Sequence, residues 1–302
     1  MKRFTWVDAF TETRFGGNPC AVVFDADDLS VEERIAYTRE TGLVECSFLV
    51  ASDKADFGAR YYMPTGEIPL AGHPTVATVT ALLDAGAIEA PATFTLEVGG
   101  GVMEIEVTAR DGRPPLVTMT QPKPVFARGY EPGDIASLYG LASSDVIGRP
   151  TTVIIGGTPF CVARLASMGA IRAAKLNVEA LAAYTKAQDA DFIEPFLCVT
   201  EGATDGDTFG RLLLPPPFPA EDPFTGSATG CMAAYLFANG WIGRRFTAEQ
   251  GHGLGRPGRA EVEVIGRADD IEGVKVGGSG VVVMRGEAAI RADTGGLSRT
   301  LA

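Results

Sequence analysis

Nine residues of this chain nearly recur. The stretch Glu67-Ile68-Pro69-Leu70-Ala71-Gly72-His73-Pro74-Thr75 lies over Glu221-Asp222-Pro223-Phe224-Thr225-Gly226-Ser227-Ala228-Thr229 without gaps, at a constant offset of 154 from Glu67 to Glu221. Glu, Pro, Gly and Thr coincide. A shorter echo pairs Gly17-Asn18-Pro19-Cys20-Ala21-Val22 with Gly157-Thr158-Pro159-Phe160-Cys161-Val162 at an offset of 140. Internal repetition of this kind points to a duplicated architecture, and 302 residues suffice for two lobes of roughly 100–150 residues. The expected lobes are 1–115 and 116–280, divided at Gly112-Arg113-Pro114-Pro115, with a C-terminal strand near 281–291 returning to the first.

Periodicity fills in the lobes. Alternation of apolar and polar residues predicts strands over 4–10, 20–24, 47–51, 59–63, 94–98 and 102–107. Between the second and third, Ser30-Val31-Glu32-Glu33 has the form of a capping box and Gly42 stands where a helix stops, so a helix is expected over about 31–41. A second helix should begin at His73 or Pro74, because proline suits a first helical turn, and run to Leu83 before Gly86. Val76, Ala77, Val79, Ala81, Leu82 and Leu83 leave it little polar face, which places it inside a wrapped sheet. Downstream the same kinds of element recur: strands near 151–155, 160–166, 195–200 and 208–214, and helices over about 177–187 and 226–239, the last stopping at Gly240. An α+β chain of two similar lobes follows.

Charge narrows the partners. Lys and Arg number 26 against 38 Asp and Glu, a net charge of −12 that repels phosphate backbones and anionic headgroups, so neither nucleic acid nor membrane is expected. The N-terminal residues alternate polar and apolar, without the apolar core of a signal peptide or a span of about 20 apolar residues, and the cytosol is the expected compartment. Cys20, Cys46, Cys161, Cys198 and Cys231 are widely separated, with no Cys-x-x-Cys pair, and are expected to be reduced core residues that hold no metal. His252 lies among Gly251, Gly253 and Gly255, a loop by composition that lacks the strand-to-helix setting of a dinucleotide fingerprint. No cofactor is expected.

If Gly72 and Gly226 each open a buried helix, unpaired backbone N–H groups and a positive dipole end face whatever precedes them. Two such lobes packed face to face bring both helix starts to one cleft, a seat for a small carboxylate that needs few lysines or arginines. His73 stands at the first start, and Asp222 and Ser227 flank the second, so polar groups gather where packing alone does not call for them. Two capped core helices without chemistry are the bland alternative.

Five ordered motifs carry a family likeness: Asp8-Ala9-Phe10, Phe15-Gly16-Gly17-Asn18-Pro19, Glu40-Thr41-Gly42-Leu43-Val44-Glu45-Cys46-Ser47-Phe48, Pro69-Leu70-Ala71-Gly72-His73-Pro74-Thr75 and Glu221-Asp222-Pro223-Phe224-Thr225-Gly226-Ser227-Ala228. They resemble the phenazine-biosynthesis PhzF-like family, within the diaminopimelate epimerase fold. Gly157-Thr158-Pro159-Phe160, Glu249-Gln250-Gly251 and Gly255-Arg256-Pro257-Gly258 extend the likeness into the second half. The resemblance implies two similar lobes, each a mixed β-sheet rolled around a central α-helix, an active site between them, and homodimers. It also implies a cofactor-free isomerase in which Glu45 shuttles a proton while His73, Asp222 and Ser227 shape and polarise the pocket. The substrate in the named family member is a hydroxylated dihydroanthranilate, so a similar cyclic or amino-acid substrate is expected. Related epimerases of this fold place a cysteine just before each helix-start glycine. Here those positions are Ala71 and Thr225, which disfavours paired-cysteine racemisation.

The residues themselves support Glu45. It follows a helix stop and precedes the apolar run Cys46-Ser47-Phe48-Leu49-Val50, so its carboxylate should be partly desolvated and its pKa raised toward a useful acid-base range. An exposed turn glutamate is the alternative. Asn18, in the turn Gly16-Gly17-Asn18-Pro19, can offer a side-chain amide to a substrate, although Asn-Pro is first a turn signal. The amides at Gly72 and Gly226 complete the candidate set. Two other functions stay open at this point: a lyase (dehydratase) that uses Glu45 to expel hydroxide from a hydroxylated amino acid, and a non-catalytic metabolite-binding protein.

Overall fold

A computed structural model of the chain describes residues 1–190 and 194–290. The first lobe opens with β1 (Lys2–Ala9) and β2 (Asn18–Val23), crosses through α1 (Val31–Thr41) to β3 (Cys46–Val50), and continues with β4 (Phe57–Met63) and β5 (Gly66–Ile68). It ends with α2 (Gly72–Asp84), β6 (Ala92–Val98), β7 (Gly101–Arg110) and β8 (Arg113–Gln121). The second begins with β9 (Val125–Gly129), α3 (Pro132–Leu138), β10 (Val146–Ile155), β11 (Thr158–Leu165), α4 (Met168–Ala173) and α5 (Val178–Gln188). It continues with β12 (Pro195–Val199), β13 (Thr208–Leu213), β14 (Glu221–Asp222), α6 (Gly226–Ala238), β15 (Arg245–Gln250), β16 (Gly258–Arg267) and β17 (Asp270–Gly278). Finally β18 (Gly280–Ala288) pairs antiparallel with β1. Position 115 falls inside β8, and Arg291, the last residue of the expected C-terminal strand, lies outside the described residues.

The same sheet is built twice. In the first lobe the pairing runs β18-β1-β2-β3-β4-β6-β7-β8 with β5 on β4, and in the second β9-β10-β11-β12-β13-β15-β16-β17 with β14 on β13. Parallel pairs fall at matching places, β2 with β3 and β11 with β12, then β4 with β6 and β13 with β15, each separated by the helical crossover that parallel strands require. The antiparallel pair of β8 and β17 joins the two sheets. Register confirms the correspondence residue by residue. Ala21 sits against Cys46, and its echo Cys161 sits against Pro195; Tyr62 opposes Glu67 as Leu213 opposes Glu221. Two mixed sheets, each rolled around one helix, make this the expected α+β architecture.

Local chemistry sets the helices. Ser30 and Glu33 close the capping box of α1, with N–H to oxygen distances of 3.2 and 2.9 Å, and Gly42 ends the helix at a left-handed φ of 67°. Helix α2 is buried over 72–82. Three threonines are tolerated there because their hydroxyls find partners: Thr75 donates to Ala71 O at 2.7 Å, Thr80 donates to Val76 O at 2.8 Å, and Thr78 pairs with Ser47 at 2.6 Å. In α6, Thr229 repeats the Thr75 bond by donating to Thr225 O at 2.9 Å. One continuous core takes in Val76 and Val79 of α2 and Met232 and Leu236 of α6, each contributing roughly 1.5–3 kcal/mol by burial. Separate apolar clusters lie beneath α1 on one lobe and beneath α3, α4 and α5 on the other.

The lobes interlock at corresponding turns. Phe10, just past β1, and Gly156, just past β10, take left-handed φ values of 59° and 61°. The Phe10 ring stacks on Phe224 with centroids 4.3 Å apart. Leu70, the repeat counterpart of Phe224, closes on Gly156 so tightly that a β-carbon there would lie 2.4 Å from Leu70 Cδ2. A left-handed phenylalanine carries about 1–3 kcal/mol of backbone strain, which the buried cross-lobe stack offsets.

Candidate active site

Asn18 is not part of a turn, as its Asn-Pro sequence suggests, but the first residue of β2, paired with Ala9. The turn is completed one residue earlier by Gly17, at φ 51°, where any β-carbon would strike Ala9 O. The strand fixes the Asn18 side chain inward, 1% exposed. Its amide nitrogen lies 3.0 Å from His73 Nδ1, 2.7 Å from Asp222 Oδ1 and 2.8 Å from Phe224 O. One side chain thus ties the start of α2 to β14 of the other lobe. An amide nitrogen can only donate, and its two hydrogens are shared among these three neighbours; a proton on Nδ1 would face them, so the ring proton belongs on Nε2. That Nε2 is buried and has no hydrogen-bond partner among the described residues. Burial also lowers the His73 pKa to about 3, leaving a neutral ring with an unused donor.

Glu45 immediately precedes β3, and its Oε2 stands 3.6 Å from His73 Nδ1, beyond hydrogen-bond length, with 15% of the side chain exposed. Burial pushes its carboxyl well above the usual carboxylate range, and the charge of Asp222 pushes the same way. Asp222, at the end of β14, is raised to about 7 by burial, against the lowering effect of the Thr225 hydroxyl and the Asn18 amide. The Thr225 hydroxyl donates to Asp222 Oδ2 at 2.5 Å. Two carboxyls from different lobes therefore share one buried setting with a neutral imidazole, an arrangement suited to holding and moving a proton near neutral pH.

Helices α2 and α6 meet at their first residues. A β-carbon on Gly72 would lie 2.6 Å from Gly226 Cα and 3.0 Å from Ser227 N. Neither Ala71 nor Thr225 caps its helix through its side chain. First-turn N–H groups and two positive dipole ends consequently converge on one spot, with His73 and the half-buried Ser227 as the second residues of the two helices. That geometry suits a carboxylate.

A groove of about 1200 Å³ lies elsewhere, and Glu45, His73, Asp222 and Ser227 do not line it. Its charges answer one another: Arg110 pairs with Glu12 and Glu261, Arg113 with Glu12, and Lys275 with Glu106. Paired charges leave little to orient a ligand, so the buried cluster is the better site. Among the described residues no group of three or more His, Cys, Asp or Glu is placed to hold a metal, and no helix is long and apolar enough to cross a membrane. All five cysteines are buried.

The model of the family described as phenazine biosynthesis-like protein, PhzC-PhzF, matches residues 7–286 and so takes in the whole buried cluster. The chain belongs to the PhzC-PhzF family. Trans-2,3-dihydro-3-hydroxyanthranilate isomerase of Pseudomonas aeruginosa is 31% identical to it over 292 residues, which cover 95% of this chain and 99% of that one. A protein of Escherichia coli K12 described as uncharacterized isomerase YddE is 33% identical over 295 residues, covering 94% and 97%. The crystal structure of a PhzF-family phenazine biosynthesis protein from Bacillus anthracis matches with a TM-score of 0.81 at 26% identity, covering 95% and 98%. This PhzC-PhzF member is an isomerase acting on a small molecule.

In the PhzC-PhzF chain the loop leading to Asn18 is held from the opposite lobe. Arg256 Nε donates to Gly17 O at 2.9 Å, and Arg256 Nη2 donates to Gly16 O at 2.9 Å and to Asp8 Oδ1 at 2.6 Å. Asp8 Oδ2 accepts from the Phe15 N–H at 2.6 Å, and the Gly17 N–H bonds to Pro257 O at 3.0 Å. Gln250 steadies Asp222 in a similar way, donating to its carbonyl at 2.8 Å and accepting from the Thr225 N–H at 3.1 Å. Sequence alone assigns no role to Arg256, Gln250 or Thr225. The available signal is that Arg256 and Gln250 stand within the family-like motifs around Gly251 and Gly255. Arg256→Ala leaves the Asp8 carboxylate, which is 1% exposed, without its cation, and is expected to cost roughly 3 kcal/mol in urea denaturation. Arg256→Lys should recover only part, because an ammonium cannot reproduce the forked bonds. A loss below about 1 kcal/mol for the alanine variant would show that the clamp is dispensable.

Proposed function

We propose that this isomerase shifts a proton on a small cyclic carboxylate resembling trans-2,3-dihydro-3-hydroxyanthranilate, with Glu45 as the group that carries it. The carrying observation is the placement of Glu45, with its raised carboxyl, beside neutral His73 and Asp222 where two helix starts without side-chain caps meet. Backbone N–H groups at Gly72, Gly226 and Ser227 hold the substrate carboxylate, and Asn18 and Asp222 fix its amino and hydroxyl groups. Glu45 removes a proton from a carbon acidified by conjugation, and the electron pair moves into the π system. The His73 Nε2–H supports the negative charge that develops. The same Glu45 carboxyl then returns the proton at another carbon, so bonds made and broken balance without an oxidant.

The same reading takes the reaction as a step of phenazine-type biosynthesis in the cytosol and takes the chain as a homodimer, on the strength of the family resemblance. Light scattering should then give about twice the 31.7 kDa chain mass; a monomer would remove that part alone.

Proton exchange in heavy water tests the chemistry. Wild type and Glu45→Gln are incubated with trans-2,3-dihydro-3-hydroxyanthranilate and a panel of cyclic and hydroxylated amino acids, and deuterium uptake is followed by mass spectrometry. Uptake that vanishes in a folded Glu45→Gln variant supports the proposal. Equal uptake in both removes Glu45 from the mechanism, and loss of water from the product assigns the chain to the lyases instead.

A further inference from the structure

The second lobe holds a counterpart of Glu45. Cys46 pairs in parallel with Ala21, and Pro195 pairs in the same sense with Cys161. Since Ala21 and Cys161 are repeat partners, Glu45, just before β3, corresponds to Glu194, just before β12. Residue type and place both match. Glu194 is 8% exposed, and its Oε2 is buried with no hydrogen-bond partner among the described residues. A buried oxygen without a partner costs about 1–3 kcal/mol, so packing among the described residues gives no reason to keep a carboxyl there. The charge of Asp222 raises both glutamates, and the register gives Glu194 the same place before β12 in the second lobe that Glu45 has before β3 in the first. Burial, with Asp222 adding to it, lifts Glu194 to about 7, so a large share of it carries a proton at neutral pH.

We propose that Glu194 is a second proton-transfer residue, offered to the substrate from the lobe opposite Glu45, so that a proton can be removed on one face and delivered to the other. The idea rests on Glu45 as the group that removes the proton, and it replaces the return by Glu45 with delivery from Glu194. A substrate C–H bond breaks as Glu45, in the fraction of chains where it is the ionised member of the pair, takes the proton, and the electron pair enters the conjugated system. The Glu194 O–H bond then breaks as its proton forms the new C–H bond. Glu45 ends protonated and Glu194 ionised, and exchange of both with solvent water restores the starting pair.

The test measures two quantities in heavy water, deuterium uptake into recovered substrate and formation of product, for wild type, Glu45→Gln and Glu194→Gln, with trans-2,3-dihydro-3-hydroxyanthranilate and the same amino-acid panel. Glutamine keeps the size of Glu194 and removes a buried acid, so the variant should melt no lower than wild type. Uptake into substrate should persist in Glu194→Gln, because Glu45 is intact, while product formation falls about 100-fold or more. Product formation within threefold of wild type overturns the proposal and leaves the Glu45 reading standing. Parallel loss of uptake and product also overturns it, by assigning Glu194 a structural role. Uptake that is absent from wild type, or unchanged in Glu45→Gln, removes the underlying reading and this one with it.

Discussion

Gly72→Ala is expected to destabilise the chain by about 3 kcal/mol and to cut turnover at least 100-fold, although helix propensity alone favours the change. Alanine is better than glycine in a helix by up to about 1 kcal/mol. Against that, the added methyl meets Gly226 Cα at 2.6 Å, Gly226 C at 2.9 Å and Ser227 N at 3.0 Å. All three are backbone atoms of the other lobe and cannot rotate away, so the clash prevails and the helix starts must part. Overpacking of this kind costs about 1–3 kcal/mol, and a rigid obstacle puts it at the upper end. For a chain of this size the melting temperature should fall by roughly 5 °C. Parting the helices also spreads the N–H groups proposed to hold the substrate, and a displacement near 1 Å is enough for about a 100-fold loss of rate. Gly226→Ala should be milder, because its methyl first meets the tip of the Phe10 ring, at 2.7 Å, and reaches backbone, at Gly72 Cα, only at 3.0 Å. A Gly72→Ala enzyme that melts within about 2 °C of wild type and keeps its activity would mean that the helix starts are not in contact in solution.

Much of this fold is legible in the sequence because duplication prints the same turn chemistry twice. The capping box at Ser30, the stop at Gly42 and the apolar helices opened by Gly72 and Gly226 all appear where their residues require. What escaped has physical reasons. Helix α3 has seven residues, too few to show a 3.6-residue period, and β9 is exposed at four of its five positions, so no alternation marks it. Strands β16 and β17 do alternate, at Ala260, Val262 and Val264 and at Val274 and Val276, but glycines at 258, 266, 273 and 277 break the pattern. At Asn18 the Asn-Pro pair favours a turn, but Gly17 has already made it and Asn18 starts β2.

The site was legible as separate pieces, whereas their contacts were not. Sequence offers Glu45, His73 and Asp222 as polar groups near two helix starts. Only the packed chain brings Asn18 within 3.0 Å of His73 and of Asp222 across the lobes. Duplication supplies the frame and its matched glutamates, and departures from it supply the polar groups between them. His73 stands where the second lobe has Ser227, Asn18 where it has Thr158, and Asp222 where the first lobe has Ile68. A strictly symmetrical cleft would place like groups on both sides of a substrate whose ends differ.

The largest loss of rate is expected at Glu45. Glutamine keeps its size but can neither take nor return a proton, so Glu45→Gln should lower kcat/KM by about 10²–10⁴. The same change should make the fold more stable, by an amount that depends on pH. The folded-state pKa of Glu45 stands well above its ordinary value of 4.5. Between those two values the folded chain binds more protons than the unfolded one, so this carboxyl's contribution to stability declines as pH rises above about 4.5 and is least favourable beyond the folded pKa. Glutamine has no such dependence. Urea denaturation across a pH series should therefore find the variant and wild type alike near pH 4.5, with the variant gaining steadily toward pH 8. A variant less stable than wild type at pH 8 would mean that the carboxylate is solvated or paired in the fold, and the desolvated base would have to be given up. If instead activity is lost while stability is gained, Glu45 is a charge kept against the preference of its surroundings, and the fold tolerates it for what it does to a proton.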